Sequence, residues 1–147
     1  RTFRRLEVLQ WESPAPPPAL TVEACDPRAA RQCVAATRRA NEPWQREDET
    51  IDRLDVSTPA LRAVRTVADA RDPGAAIYRV TDGRASVLQL AAGDERIAGA
   101  IVDTIRGRDG VKMLRYLNVP DDDPAAAALR AREATCAATQ FEMALEL

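Results

Sequence analysis

The chain has 147 residues, enough for one ordinary domain and too few for two independent cores. Apolar residues make up 46% and charged residues 30%, which excludes a disordered chain and a fibrous one. Net charge is −2 with the signs interleaved along the sequence, which argues against a nucleic-acid or anionic-membrane surface.

Histidine is absent, and with it go the commonest general base, the commonest metal ligand and every Ser-His or Cys-His dyad. The three cysteines, Cys25, Cys33 and Cys136, are odd in number and form no C-x-x-C. They read as small buried hydrophobes in a reducing compartment, not as a disulfide or a zinc site. No apolar run approaches the ~18 residues that a membrane span needs, and no signal-peptide pattern opens the chain. The expectation is a soluble cytoplasmic domain with no metal, nucleic-acid or membrane partner. Its first residue, Arg1, reads as a processed start or the cut edge of something longer.

In chain order, residues 2–11 (TFRRLEVLQW) predict a strand with Leu6 and Val8 on one face and Leu9 and Trp11 on the other. Residues 13–19 are a stiff proline-rich linker that cannot pair into a sheet, so this strand, over residues 1–12, is tethered to the rest rather than continuous with it. A second strand over 20–25 leads into Asp26-Pro27, an N-cap followed by proline at the first helical position. The helix after it keeps Ala30, Cys33, Val34 and Thr37 on one face, and Asn41-Glu42-Pro43-Trp44 ends it. A short helix is expected over 45–55 with Ile51 and Leu54 inward.

Residues 61–70 fit a helical face, while Asp72-Pro73-Gly74 before residues 75–80 suggests a hairpin partner and leaves strand open. Thr81-Asp82-Gly83 is a turn between strands over 76–80 and 86–92. Asp94 caps a helix whose Ile97, Ala98, Ile101, Val102 and Ile105 form an apolar stripe, stopped near Gly107. A strand over 111–119, a helix opened by Asp123-Pro124 and running to about Glu133, and a closing strand complete the chain. In that last strand Phe141, Met143, Leu145 and Leu147 alternate with Gln140, Glu142 and Glu146. The fold class is α/β (α+β), with a mixed central sheet and flanking helices. The strands over 86–92 and 111–119 should run parallel, on either side of a crossover helix.

This order, with the words on it, resembles the GNAT family (GCN5-related N-acetyltransferases). The residues that carry the resemblance are Gly74-Ala75-Ala76-Ile77-Tyr78, then SVLQLAA over 86–92 followed by Ala98-Gly99-Ala100-Ile101-Val102, then LRYLNV over 114–119 with Asp123-Pro124-Ala125-Ala126 and Leu129, and finally Gln140-Phe141-Glu142-Met143. It covers about residues 20–147 and places residues 61–70 in the family's second strand. It implies acyl-CoA-dependent N-acyl transfer, with acetyl-CoA or another acyl-CoA along Leu90, Ala91, Ala92, Gly93, Ile97, Ala98 and Gly99. Glu42, Trp44 and Glu47 fall on the acceptor side.

The chain also departs from the family pattern. Where the family's Gly-rich loop offers amides to the cofactor pyrophosphate at a helix N-terminus, this chain has Gly93-Asp94-Glu95-Arg96-Ile97-Ala98, with two carboxylates where phosphates would lie. Helix capping and a favourable pairing with the helix dipole account for them better than a cofactor role does. The family's general-acid tyrosine falls at Arg130, and a guanidinium cannot deliver a proton to a leaving thiolate. The residues opening and closing that helix are changed too, to Asp123 and to Ala134-Thr135. Gln89 is a neutral amide and cannot act as a base. Binding of the cofactor is therefore expected to be weak or absent. A non-catalytic module supporting a partner domain or dimer is the alternative to the enzyme.

Asp121-Asp122-Asp123 reads as charge before a helix N-terminus and not as a metal loop, since three consecutive residues do not converge on one ion. Arg106, Arg108 and Lys112 read as a solvated helix end. Leu6-Glu7-Val8-Leu9 echoes Phe141-Glu142-Met143-Ala144, so the opening strand resembles the tail of a preceding GNAT domain. On that ground the chain is expected to be the C-terminal half of a tandem protein. Its partner, through Thr2 to Trp11, would be that domain or a second copy.

Overall fold

The computed structural model describes residues 2–12, 15–38, 49–51, 53, 61–67, 73–121, 123, 126 and 129–144. The elements are β1 (Thr2–Glu12), β2 (Val22–Cys25), α1 (Pro27–Thr37), β3 (Leu61–Thr66), β4 (Gly74–Thr81), β5 (Arg84–Ala92), α2 (Glu95–Arg106), β6 (Met113–Pro120) and β7 (Thr135–Ala144). The strands form one mixed sheet in the order β2-β3-β4-β5-β6-β1-β7. Among the described residues only β5 and β6 pair in parallel, as a crossover through α2 requires. The others pair antiparallel.

Local sequence explains most of these elements. Asp26 caps α1 by accepting the amides of Arg28 at 2.8 Å and Ala29 at 3.4 Å, with Pro27 in the first turn where its missing N–H costs nothing. The β4–β5 hairpin turns on Asp82 and Gly83, both at positive φ (51° and 76°), the pattern whose twist matches the flanking strands. β3 settles residues 61–66 as strand: Ala63 pairs with Ile77 and Val64 with Ala76.

The core has two layers. Ala30 and Val34 of α1, with Ile51, cover Ala63, Ala75, Ile77, Leu88 and Ala91 on one face of the sheet. Ile97, Ile101 and Ile105 of α2 pack on the other, against Val64, Ala76, Tyr78 and Leu90. β4 is buried on both faces from Gly74 to Tyr78, so it reads as a continuous run of small and apolar residues. A Cβ on Gly74 would lie 2.4 Å from Ile97 Cγ2, so glycine is what lets the first turn of α2 close on the sheet.

The opening strand lies inside the sheet. β1 pairs with β6 on one side (Leu6↔Pro120 to Glu12↔Met113) and with β7 on the other (Thr2↔Ala144 to Gln10↔Thr135). The sequence left this strand tethered by its proline-rich linker, and here it pairs with strands of the same chain. Its apolar residues on both faces suit an interior position: Leu6, Leu9 and Trp11 are each about 2% exposed or less. The edge falls to β7, and there the reading of all three cysteines as buried fails. Cys136 is exposed on β7, and Cys25 and Cys33 are only half-buried; all three are free thiols.

In the stretch expected as a helix over 45–55, residues 49–51 and 53 are helical and Ile51 is buried, while Leu54 lies outside the described residues. In the stretch over 123–133, Ala126 and Leu129 are buried and helical. Among the described residues no helix is long and apolar enough to cross a membrane, and no cluster of side chains is suited to a metal ion.

Candidate functional site

The junction of β5, β6 and α2 is where sequence reasoning put the cofactor. Parallel pairing of β5 with β6 begins at Arg84↔Met113 and stops at Val87↔Tyr116, although β5 continues to Ala92 and β6 to Pro120. Both strands lose their regular path just beyond that last pair. On β5, Ile77 faces Gln89 and Tyr78 faces Val87, so Leu88 is an extra, bulged residue. On β6, Asn118 is at φ 53° beside the register shift against β1. Bulges bend a strand and end its pairing, which accounts for the divergence. Tyr116 reaches across it, its hydroxyl donating to the Leu90 carbonyl at 3.3 Å.

At the start of α2 one otherwise orphaned amide is taken by the cap and the first intrahelical bond is made. Asp94, the N-cap, accepts the Ile97 N–H on its carboxylate at 2.9 Å, and its carbonyl accepts that of Ala98 at 3.1 Å. The Gly93 N–H donates to the Pro73 carbonyl at 2.9 Å. Glu95 adds a second exposed carboxylate in the first turn. This helix start thus carries its own anion, in the place where a bound phosphate would gain from the helix dipole.

The outer side of α2 is covered as well. Gly99 and Asp103, four residues apart, share a helix face, and the Arg132 guanidinium lies on it. A Cβ on Gly99 would come within 2.2 Å of Arg132 Cζ, and Arg132 Nη1 donates to Asp103 Oδ2 at 2.9 Å. Asp103 is 4% exposed and also takes Arg106 at 3.4 Å. Burial pushes its carboxyl above the usual range, against the pull of Arg132 and Arg106. Arg106 donates from Nε to the Glu12 carbonyl at 3.0 Å, so it ties α2 to the end of β1. It is therefore not the solvated residue that sequence reasoning expected, because the chain's first strand ends beside it.

The seven candidate cofactor residues fall in two runs, 90–93 and 97–99, on either side of the turn at the β5–α2 junction. Leu90 packs in the α2 layer and Ala91 in the α1 layer. Ala92 and Gly93 are half-buried, and Ile97, Ala98 and Gly99 are buried. Arg130, at the family's acid position, donates from Nε to Glu7 Oε2 at 2.8 Å; Glu7 is buried and also pairs with Arg5 at 3.0 Å. Gln89 is fully buried. Glu42, Trp44 and Glu47 lie outside the described residues. Sequence reasoning missed the Asp103–Arg132 pair. Only the Asp103/Arg106 spacing hinted at a role for Asp103.

These residues depart from a pyrophosphate cradle in three ways. The Ile97 amide is held by the Asp94 carboxylate, Glu95 adds an exposed carboxylate in the same turn, and the Arg132 guanidinium lies over Gly99.

No protein-family model matches the sequence, and no curated protein does either. Solved structures match over 95% of this chain. Eis1 from Mycobacterium abscessus does so with a TM-score of 0.63 and 18% identity, over 40% of its own length. A GCN5-related N-acetyltransferase from Sphaerobacter thermophilus gives 0.62 and 17% over 50% of its length. One from Kribbella flavida gives 0.57 and 14% over 36%. The fold is therefore that of the GCN5-related N-acetyltransferases. The chain spans half or less of the length of these three structures.

Proposed function

We propose that this chain is a non-catalytic GNAT-like module that supports a partner, either a GNAT-like domain of the same longer protein or a second copy. The observation that carries this is the Asp94 carboxylate on the Ile97 amide: the chain's own anion sits at the helix start that would receive a cofactor phosphate. The ion pair that holds Arg130 against Glu7 supports it, since the acid position is committed to joining β1 to the segment before β7. Calorimetric titration of acetyl-CoA into the chain tests it. No binding up to millimolar cofactor is expected, and micromolar affinity would overturn it.

A second reading, an acyl-CoA-dependent N-acyltransferase with a degenerate cofactor loop, is favoured by one feature. β5 and β6 part after Val87 and Tyr116, where an extended ligand would enter the sheet. Micromolar binding in the same titration would favour it.

A further inference from the structure

The two edges of the sheet are unlike. β2 is four residues long, and its Glu23 carboxylate pairs with Arg65 of the neighbouring strand at 3.3 Å. β7 is ten residues long and contains no proline, lysine or arginine, the usual devices that keep an edge from pairing. Its only charged residue, Glu142, is turned to Arg4 of its own sheet at 2.9 Å. Phe141 and Met143 stand 69% and 64% exposed on this strand.

From these features we infer that β7 pairs antiparallel with β7 of a second copy of this chain across a twofold axis, extending one sheet into the next. The strand itself argues for a copy as the occupant. Its first half is small (Cys136, Ala137, Ala138) and its second half large (Phe141, Met143). An antiparallel twofold contact lays the large half of each copy against the small half of the other, so the strand is complementary to itself. Residues 135–141 carry no charge, so self-pairing sets no like charges opposite each other there. Because the other edge strand is only four residues long, association closes at two chains and does not run on into fibres. This deepens the partner half of the module proposed above and rests on it there.

Light scattering of the full chain across a range of concentrations tests it. The mass should double as concentration rises, and Phe141→Lys with Met143→Lys should weaken association at least about tenfold. Unfolding at low concentration should be unchanged, because both side chains are exposed in the single chain. Amide exchange of the unmodified chain gives a readout that needs no variant: protection within residues 135–144 should rise with concentration. A single-chain mass throughout, a dimer that survives both lysines, or exchange that ignores concentration would each overturn the interface. A chain that binds acetyl-CoA and still dimerises through β7 would overturn the module reading and leave the interface standing.

Discussion

Arg130 donates to Glu7 at 2.8 Å across 123 positions of sequence, and this contact fastens the segment before β7 to the chain's first strand. Glu7 is 7% exposed, so removing Arg130 leaves its carboxylate, among the described residues, with the more exposed Arg5. Arg130→Ala should therefore destabilise the fold by about 1–2 kcal/mol, less than a fully buried pair would cost. Urea unfolding measures it, and an unchanged midpoint would show the pair to be ornamental.

Gly99→Ala should act through Arg132. A methyl at that position overlaps the guanidinium, which must swing off Asp103. The expected loss is about 1–3 kcal/mol, the cost of leaving a buried charge short of a partner. In a double-mutant cycle with Arg132→Ala the two losses should fall short of adding by at least ~0.5 kcal/mol. Strict additivity would mean that the clash is relieved elsewhere.

Asp103 makes a prediction about pH. Its carboxyl is raised above 3.8 chiefly by burial, so the fold binds this proton more tightly than the unfolded chain does. The stabilisation that follows is present at low pH and is lost as pH rises through the raised value. The stability difference between the unmodified chain and Asp103→Asn should thus be most favourable to the unmodified chain in acid and shrink toward neutrality. Urea midpoints in a pH series check this. A difference that grows with pH would mean that the two arginines outweigh burial.

Opening the start of α2 should restore some affinity for a phosphorylated cofactor. Asp94→Gly with Glu95→Gln removes both carboxylates, and glycine keeps much of the capping preference, at a cost of only a few tenths of a kcal/mol. Relief of repulsion should strengthen acetyl-CoA binding by about tenfold or more, read by calorimetry. No gain would place the obstacle elsewhere, with Arg132 over Gly99 the next residue to replace.

The sequence by itself determined the elements whose causes are local. Asp26-Pro27 and Asp94 fixed two helix starts, Asp82-Gly83 fixed a hairpin, and the Ile97–Ile101–Ile105 stripe oriented α2 on the sheet. Spacing and resemblance were enough to make β5 and β6 parallel. Tertiary structure decided whatever depends on partners far apart in the chain. Leu6 and Trp11 show that β1 has two apolar faces, but only packing placed it between β6 and β7, and that placement exposes Phe141 and Cys136. No periodicity announces that Arg132 will rest on Gly99 or that Arg130 will meet Glu7. A hydrogen-bond cap or a turn is settled within a few residues, whereas an ion pair between distant segments exists only after the sheet has brought them together.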